Sequence, residues 1–299
     1  MFRTLFKRTP MQAPVQPPLI PPGLVVWAVG DVHGRLDLLD VLLDGITADV
    51  GKTGRRTMVV FLGDYVDRGP DSRGVIDRLC SFADDSSIEA RFLRGNHEQK
   101  LVEFLADPAV GPVWCEYGGA QALQSFGLNV PVVSHQTTAW AALSADLGHR
   151  LTDRQRRFLD ELETSLSIGG YFFAHAGARP GIALEDQSER DLMWVRGSFL
   201  NSSERFERVV VHGHTPASSV HMDDRRIGLD TGAYASGVLS AVRLEDGGRT
   251  VFQAVQLEDG AITLRGSSPT PPPLPDPPAS TYPRSSRRAL PRSSSESAA

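Results

Sequence analysis

Cysteine is scarce in this 299-residue chain, with only Cys80 and Cys115. Two thiols cannot build a disulfide framework, and their paucity fits a reducing compartment; both read as buried structural residues. Long apolar runs are missing too. No stretch approaches the roughly 20 apolar residues that span a bilayer, so no membrane helix and no membrane partner are expected. The N-terminus carries basic residues, but Pro10, Pro14, Pro17 and Pro18 break up any apolar segment. It does not read as a secretory signal, and a cytoplasmic location is expected. A basic globular surface is also absent. The net charge is −5, and because residues 1–22 carry +3 and residues 267–299 carry +2, the middle of the chain holds −10. So acidic a body is a poor non-specific partner for nucleic acid and suits a protein whose carboxylates hold cations.

With 40% hydrophobic residues, the chain can bury a large core. Residues 1–22 are proline-rich and read as an extended or disordered arm. Residues 267–299 are dominated by Pro and Ser without hydrophobic periodicity and read as a disordered tail. Its Arg-Ser runs leave a tail-mediated protein contact or phosphorylation open.

Between the tails, apolar runs alternate with helical patterns. Leu24 to Val29 is a run of strand formers ending at Gly30-Asp31, and Leu36, Leu39, Leu42, Leu43 and Ile46 follow at helical spacing. Thr57 to Leu62 ends at Gly63-Asp64 before a helix through Val75, Ile76 and Leu79. Ile88 to Leu93 ends at Gly95-Asn96 before a helix through Leu101 and Phe104. Strand, loop and helix thus recur three times, which predicts parallel strands covered by helices, an α/β fold with functional loops at the carboxyl ends of the strands. Residues 107–167 read as a helical cap insertion, in which Thr152 and Gln155 form a capping box. Further strands are expected over Gly170–Ala174, Arg208–Val211, Val238–Leu244 and Thr250–Leu257. The last two flank the turn signal Glu245-Asp246-Gly247-Gly248, and a second sheet follows from the number of strands.

The strand ends carry the chemistry. A glycine permits a sharp turn, and the residue after it is Asp31, Asp64 or Asn96. His33 lies two residues beyond Asp31, and later strands end at His175 and at His212-Gly213-His214. Carboxylate, amide and imidazole donors together suit first-row metals such as Mn, Fe, Zn, Co or Ni. No thiolate is present to make a structural zinc or iron–sulfur set. Asp64 is the natural bridge between two ions, since it has two oxygens and lies between two clusters of donors. Ions about 3.5–4 Å apart can share a hydroxide and stabilise an in-line displacement. Arg68 can grip two phosphate oxygens, Arg196 is a candidate second clamp, and His97, paired with Asp67, can protonate a leaving oxygen. His212 and His214 compete for one ligand role. Glu98 reads as orienting a neighbour, Asp230 as structural, Tyr65 and Val66 as packing beneath the site. His135, His149 and His221 read as surface or packing residues. Trp114 and Tyr117, with Gly118-Gly119, either line the cleft or pack.

The ordered set Gly30-Asp31-Val32-His33-Gly34, Gly63-Asp64-Tyr65-Val66-Asp67-Arg68-Gly69, Gly95-Asn96-His97-Glu98, His175-Ala176-Gly177 and Gly213-His214-Thr215 resembles the phosphoprotein-phosphatase branch of the calcineurin-like metallophosphoesterases. The resemblance spans roughly Val25 to Gly232, and Leu229-Asp230-Thr231-Gly232-Ala233 is similar to the closing segment of bacterial and phage members. It implies a four-layer αββα sandwich with two central mixed sheets over residues 23–266. It places one metal on Asp31, His33 and Asp64 and the other on Asp64, Asn96, His175 and His214, which selects His214 over His212. Asp67 and His97 become the acid pair, and Arg68, Asn96 and Arg196 the phosphate binders. The implied cofactors are two divalent ions, manganese foremost, with iron, zinc, nickel or cobalt as alternatives. The implied reaction is hydrolysis of phosphoserine and phosphothreonine in proteins, extending to phosphotyrosine, by direct attack of metal-bound hydroxide without a phosphoenzyme. The Ser-Ala-Pro-Asn-Tyr segment of the eukaryotic enzymes is missing, so the shorter bacterial type fits better. A symmetrical diadenosine tetraphosphatase or another small-molecule phosphoesterase would use the same metal core. A non-catalytic scaffold acting through the tails is disfavoured by the full set of catalytic positions.

Overall fold

The computed structural model describes residues 19–85, 87–130 and 137–267. His135, the tail from 268 and the arm up to residue 18 lie outside the described residues. Three βα units open the chain: β1 (Leu24–Val29) with α1 (Leu36–Thr53), β2 (Arg56–Phe61) with α2 (Ser72–Ala83), and β3 (Ile88–Phe92) with α3 (Asn96–Ala106). Every residue of β1 is buried, as an apolar run without polar alternation requires of a strand covered on both faces. Val25, Trp27 and Val29 point into the core shared with the helices. Val26 and Ala28 point the other way, into the core between the sheets.

Short helices follow: a 3₁₀ turn at Pro108–Val110, α4 (Gly111–Trp114), a kinked turn at Cys115–Gly119, α5 (Ala120–Ser125), α6 (Thr137–Arg150) and α7 (Asp153–Asp160). The capping box of α7 forms as expected: Gln155 N–H donates to Thr152 Oγ1 (3.2 Å), and Thr152 N–H donates to Gln155 Oε1 (3.0 Å). The helical stretch ends at Asp160, and the edge strand β4 (Ser165–Ile168) begins within the last residues expected to be helical cap. Nor do the cap helices build a core of their own. Trp114, Leu123, Phe126, Trp140, Leu147 and Phe158 join Leu39, Val75 and Phe104 in one continuous cluster.

The remaining elements are β5 (Tyr171–Ala174), α8 (Glu189–Trp194), α9 (Gly197–Leu200), β6 (Val209–His212), β7 (His221–Met222), β8 (Arg226–Gly228), α10 (Ala233–Ser236), β9 (Val238–Glu245), β10 (Gly248–Gln256) and β11 (Ile262–Gly266). One sheet has the order β11-β10-β9-β1-β2-β3, the other β4-β5-β6-β8-β7. Both are mixed: β1–β2–β3 and β5–β6–β8 are parallel, while β9 runs antiparallel to β1 and β4 to β5. Asp246 and Gly247 both take positive φ (42° and 83°), the backbone that a two-residue hairpin loop demands. Val60, Leu62, Phe173, Val211, Ile227 and Val242 fill the space between the sheets. Phe172, Val210, Leu192 and Phe199 pack α8 and α9 on the outer face of the second sheet. The result is the expected αββα order of layers. Ile20, assigned to the arm from sequence, is 3% exposed and belongs to the inter-sheet core, and Leu19 accepts a hydrogen bond from Gly170 N–H (2.9 Å). Among the described residues, no helix is long and apolar enough to cross a membrane.

Candidate metal centre and acid pair

The carboxyl ends of β1, β2 and β3 meet those of β5 and β6 at one rim. Asp31, His33, Asp64, Asp67, Asn96, His97, His175 and His214 are all buried there. Two compact donor groups form, His33–Asp64–His97 and Asp64–His175–His214, within each of which the donor atoms lie inside 4.8 Å of one another. Asp64 belongs to both. Its Oδ2 is 3.5 Å from His33 Nε2, and its Oδ1 is 3.4 Å from His175 Nε2. Asn96 Oδ1 lies 3.0 Å from His175 Nε2, and His214 Nδ1 lies 3.2 Å from that same nitrogen. Asp31 stands behind these groups and accepts from His214 N–H at 3.0 Å.

The backbone sets the imidazole tautomers. His33 Nδ1 donates to the Val66 carbonyl (2.8 Å) and His175 Nδ1 to the Leu62 carbonyl (2.9 Å), which turns both Nε2 lone pairs inward. Burial drives His33 down to about 3 and His214 down to about 2, so both are neutral at physiological pH. Burial, with the charges of Asp230 and Asp64, pushes the Asp31 carboxyl well above the usual range. Inward lone pairs and crowded carboxylates, without a thiolate, are the donor set that divalent first-row cations satisfy. Each of the two compact groups could therefore hold such an ion, with Asn96 and Asp31 placed beside them.

The backbone is strained here. His33, Asp64, Asp67, Arg68 and His214 all take positive φ, which costs non-glycine residues on the order of 1–3 kcal/mol each. Glu98 offsets part of this for the Asp64 loop. Its buried carboxylate accepts N–H bonds from Asp64 (2.8 Å), Tyr65 (2.7 Å), Val66 (3.2 Å) and Gly95 (2.9 Å). Burial and the charge of Asp64 push its carboxyl up to about 7. Glu98→Ala strands these donors at about 1–3 kcal/mol apiece, with imperfect additivity. The expected loss is about 4 kcal/mol, or roughly 10 °C in Tm, read by calorimetry; a Tm within about 2 °C of wild type would refute this role.

Beside the donors, His97 Nδ1 is 2.6 Å from Asp67 Oδ2. Burial lowers the imidazolium's pKa, but Asp64 and the Asp67 hydrogen bond outweigh it and raise His97 above its ordinary value. The Arg68 guanidinium reaches His33 Nε2 and His97 Nε2, both at 3.0 Å. Arg196 Nε donates to His214 Nε2 (3.0 Å) from the other side. A cavity of about 320 Å³ opens next to them, lined by Arg68, His97, Lys100, Tyr117, Trp194 and Arg196.

All the site residues expected from sequence thus converge. Others were missed. Tyr234 lies over the Arg68 guanidinium at 4.9 Å and edges the His33 ring at 5.4 Å. Lys100 faces Trp194 at 5.7 Å. Asp230, read as structural, accepts from Gly232 N–H and crowds Asp31. Only the Asp230-Thr231-Gly232 motif signalled any of these. His212 is buried, lies within hydrogen-bond distance of the Gly213 carbonyl and Arg226, and faces away from the donor groups. His149 is exposed and His221 half-buried. Cys80 is buried as expected; Cys115 is only half-buried.

Comparison with known proteins agrees with this geometry. The family model for calcineurin-like phosphoesterases matches residues 24–239. The asymmetrical bis(5'-nucleosyl)-tetraphosphatase PrpE of Oceanobacillus iheyensis is 25% identical over 238 residues, covering 73% of this chain and 88% of that protein. Serine/threonine-protein phosphatase 1 of Salmonella typhimurium is 28% identical over 226 residues, covering 74% and 92%. A crystal structure proposed to be a diadenosine tetraphosphatase superposes with a TM-score of 0.52 at 23% identity, covering 84% of this chain and 96% of the other, a likeness that speaks for the fold alone. With the match running through every strand that delivers a donor to the rim, the chain belongs to the calcineurin-like phosphoesterase family and is a phosphate-ester hydrolase.

Proposed function

We propose that this hydrolase is a protein phosphatase that cleaves phosphoserine and phosphothreonine, and by extension phosphotyrosine. The observation that carries the reading is the size of the cavity beside the acid pair. At about 320 Å³ it sits at the small end of ligand pockets, room for one phosphorylated side chain. Val113 and Tyr117 at its mouth are 56% and 65% exposed, so a phosphate borne on a polypeptide can approach. The likeness to the Salmonella phosphatase, which spans 92% of that protein, supports the same choice.

Asp31, His33, Asp64, Asn96, His175 and His214 would hold two divalent ions, with manganese the preferred pair. Such ions supply Lewis acidity and an acidified water nucleophile. The chain's own residues do the rest. Arg68 leaves His33 and His97 to grip the phosphate, and Arg196 closes on it from the side of the second sheet. As the bond from phosphorus to the leaving oxygen breaks, His97 gives that oxygen its Nε2 proton, while Asp67 on Nδ1 stabilises the imidazolium.

A second reading is hydrolysis of dinucleoside tetraphosphates. Its support is the likeness to PrpE and the three cations Arg68, Lys100 and Arg196 beside the exposed rings of Tyr117 and Trp194, which could take a polyphosphate and stack a base. The deciding assay compares kcat/KM for a phosphoserine peptide and diadenosine tetraphosphate, on metal-stripped enzyme reloaded with Mn, Fe, Zn or Ni. The expected outcome is at least about tenfold preference for the peptide, a difference of about 1.4 kcal/mol, highest with Mn. Cleavage of the dinucleotide with an inert peptide would replace the first reading by the second.

A further inference from the structure

The end of α4, just before the kinked turn of the cap, lies directly on the acid pair, and we infer that Trp114 is a positioning residue for it. The indole N–H pins the Asp67 carboxylate, which in turn fixes the orientation of His97 toward the leaving oxygen. The inference rests on the reading of His97 as the proton donor.

One carboxylate oxygen takes both contacts. Asp67 Oδ2 accepts from His97 Nδ1 at 2.6 Å and from Trp114 Nε1 at 2.7 Å. Asp67 Oδ1 is buried without a hydrogen-bond partner. The Asp67 backbone is anchored separately, its N–H donating to Ser72 Oγ at 2.9 Å. Nothing else among these contacts stops the carboxylate rotating and carrying His97 with it. Trp114 suits the task because it is buried and packed against another ring. It is 1% exposed, and its ring packs on Phe104 with centroids 5.2 Å apart.

The next turn of chain holds this arrangement from behind. Gly118 takes φ 114°, and its carbonyl accepts from Arg68 N–H at 3.1 Å. A Cβ there would sit 2.6 Å from Arg68 Cγ, and one on Gly119 would sit 2.4 Å from Trp114 Cδ2. The Gly118-Gly119 pair therefore lets the chain press on Arg68 with one residue and on the Trp114 indole with the other. Residues outside the strand-end motifs thus set the geometry of Asp67 and Arg68. Displacements of about 1 Å from a reactive orientation can cost on the order of 10²-fold in rate.

The test uses the full-length, manganese-loaded protein and two aryl phosphates. Phenyl phosphate has a poor leaving group that needs a proton; 2,4-dinitrophenyl phosphate leaves unassisted. The ratio of the two rates does not depend on how much enzyme is folded, so partial unfolding of a variant does not spoil it. Trp114→Phe, and Gly119→Ala by displacing the indole, should each shift the ratio toward 2,4-dinitrophenyl phosphate by roughly tenfold, in kcat rather than KM, as a partial loss of acid assistance. His97→Asn should shift it further. An unchanged ratio in Trp114→Phe and Gly119→Ala, with a shifted ratio in His97→Asn, overturns the positioning role and leaves His97 as the acid. An unchanged ratio in His97→Asn overturns the acid assignment itself. A second measurement needs no turnover and uses the protein loaded with diamagnetic zinc. The chain has four tryptophans, and the indole N–H resonance that disappears in Trp114→Phe should lie downfield and move upfield in Asp67→Ala. A Trp114 indole resonance indifferent to Asp67→Ala overturns the inference.

Discussion

Asp64→Asn is expected to lower turnover of a phosphate monoester by on the order of 10³-fold or more, the equivalent of about 4 kcal/mol of transition-state stabilisation. The reason is specific to this position. Asp64 alone belongs to both donor groups, with Oδ2 toward His33 and Oδ1 toward His175. Asparagine keeps one oxygen, presents an NH2 to the other group, and removes the charge that would bridge the two ions. It also tolerates left-handed backbone, as aspartate does at φ 54°, so the fold should survive. Bound metal, measured by mass spectrometry after gel filtration, should fall from two ions per chain to one or fewer. Wild-type turnover with full metal content in this variant would sink the two-metal reading.

His97→Asn is expected to cost about 10²–10⁴-fold in kcat, the usual worth of a positioned general acid, and to leave the metal content intact. The same analysis on this variant separates the two roles. His97 stands in one of the compact donor groups, which would also suit a ligand, yet its Nδ1 is committed to Asp67 and its Nε2 faces the arginine that is to bind phosphate. Loss of an ion in His97→Asn would make it a ligand. A fall in kcat of less than about threefold would deprive it of either role.

The sequence carried the strand ends well. Continuous apolar runs ending in Gly-Asp or Gly-Asn and followed by helical periodicity left little freedom for β1 to β3, and the donors sit on those ends. The Asp246-Gly247 turn announced its hairpin because its backbone chemistry is local. The short strands β4, β7, β8 and β11 were not legible. Two to five residues carry no periodicity, and they exist because neighbouring strands offer hydrogen bonds. The cap read as a separate insertion because its helices have their own amphipathic pattern; that their apolar faces merge with α1 to α3 is decided by contacts such as Trp140 with Phe104. The contact of Trp114 with Asp67 spans 47 residues, and nothing in the local pattern of either residue indicates the other. The same holds for Asp230 beside Asp31.

The route of the chain through the two sheets sets an order of events during synthesis. Asp31, His33, Asp64 and Asn96 leave the ribosome with the first sheet's parallel strands, whereas His175 and His214 arrive with the second sheet. β1 then waits for its other neighbour, β9, until residues 238–245 have been made. The bond from His214 N–H to Asp31 closes a loop of 183 residues, so the first proposed ligand meets the last only after most of the chain exists. A polypeptide truncated before residue 214 would hold five of the six proposed ligands and could not complete the centre. A growing chain would thereby be kept from acting on phosphate esters until more than two thirds of it has been made.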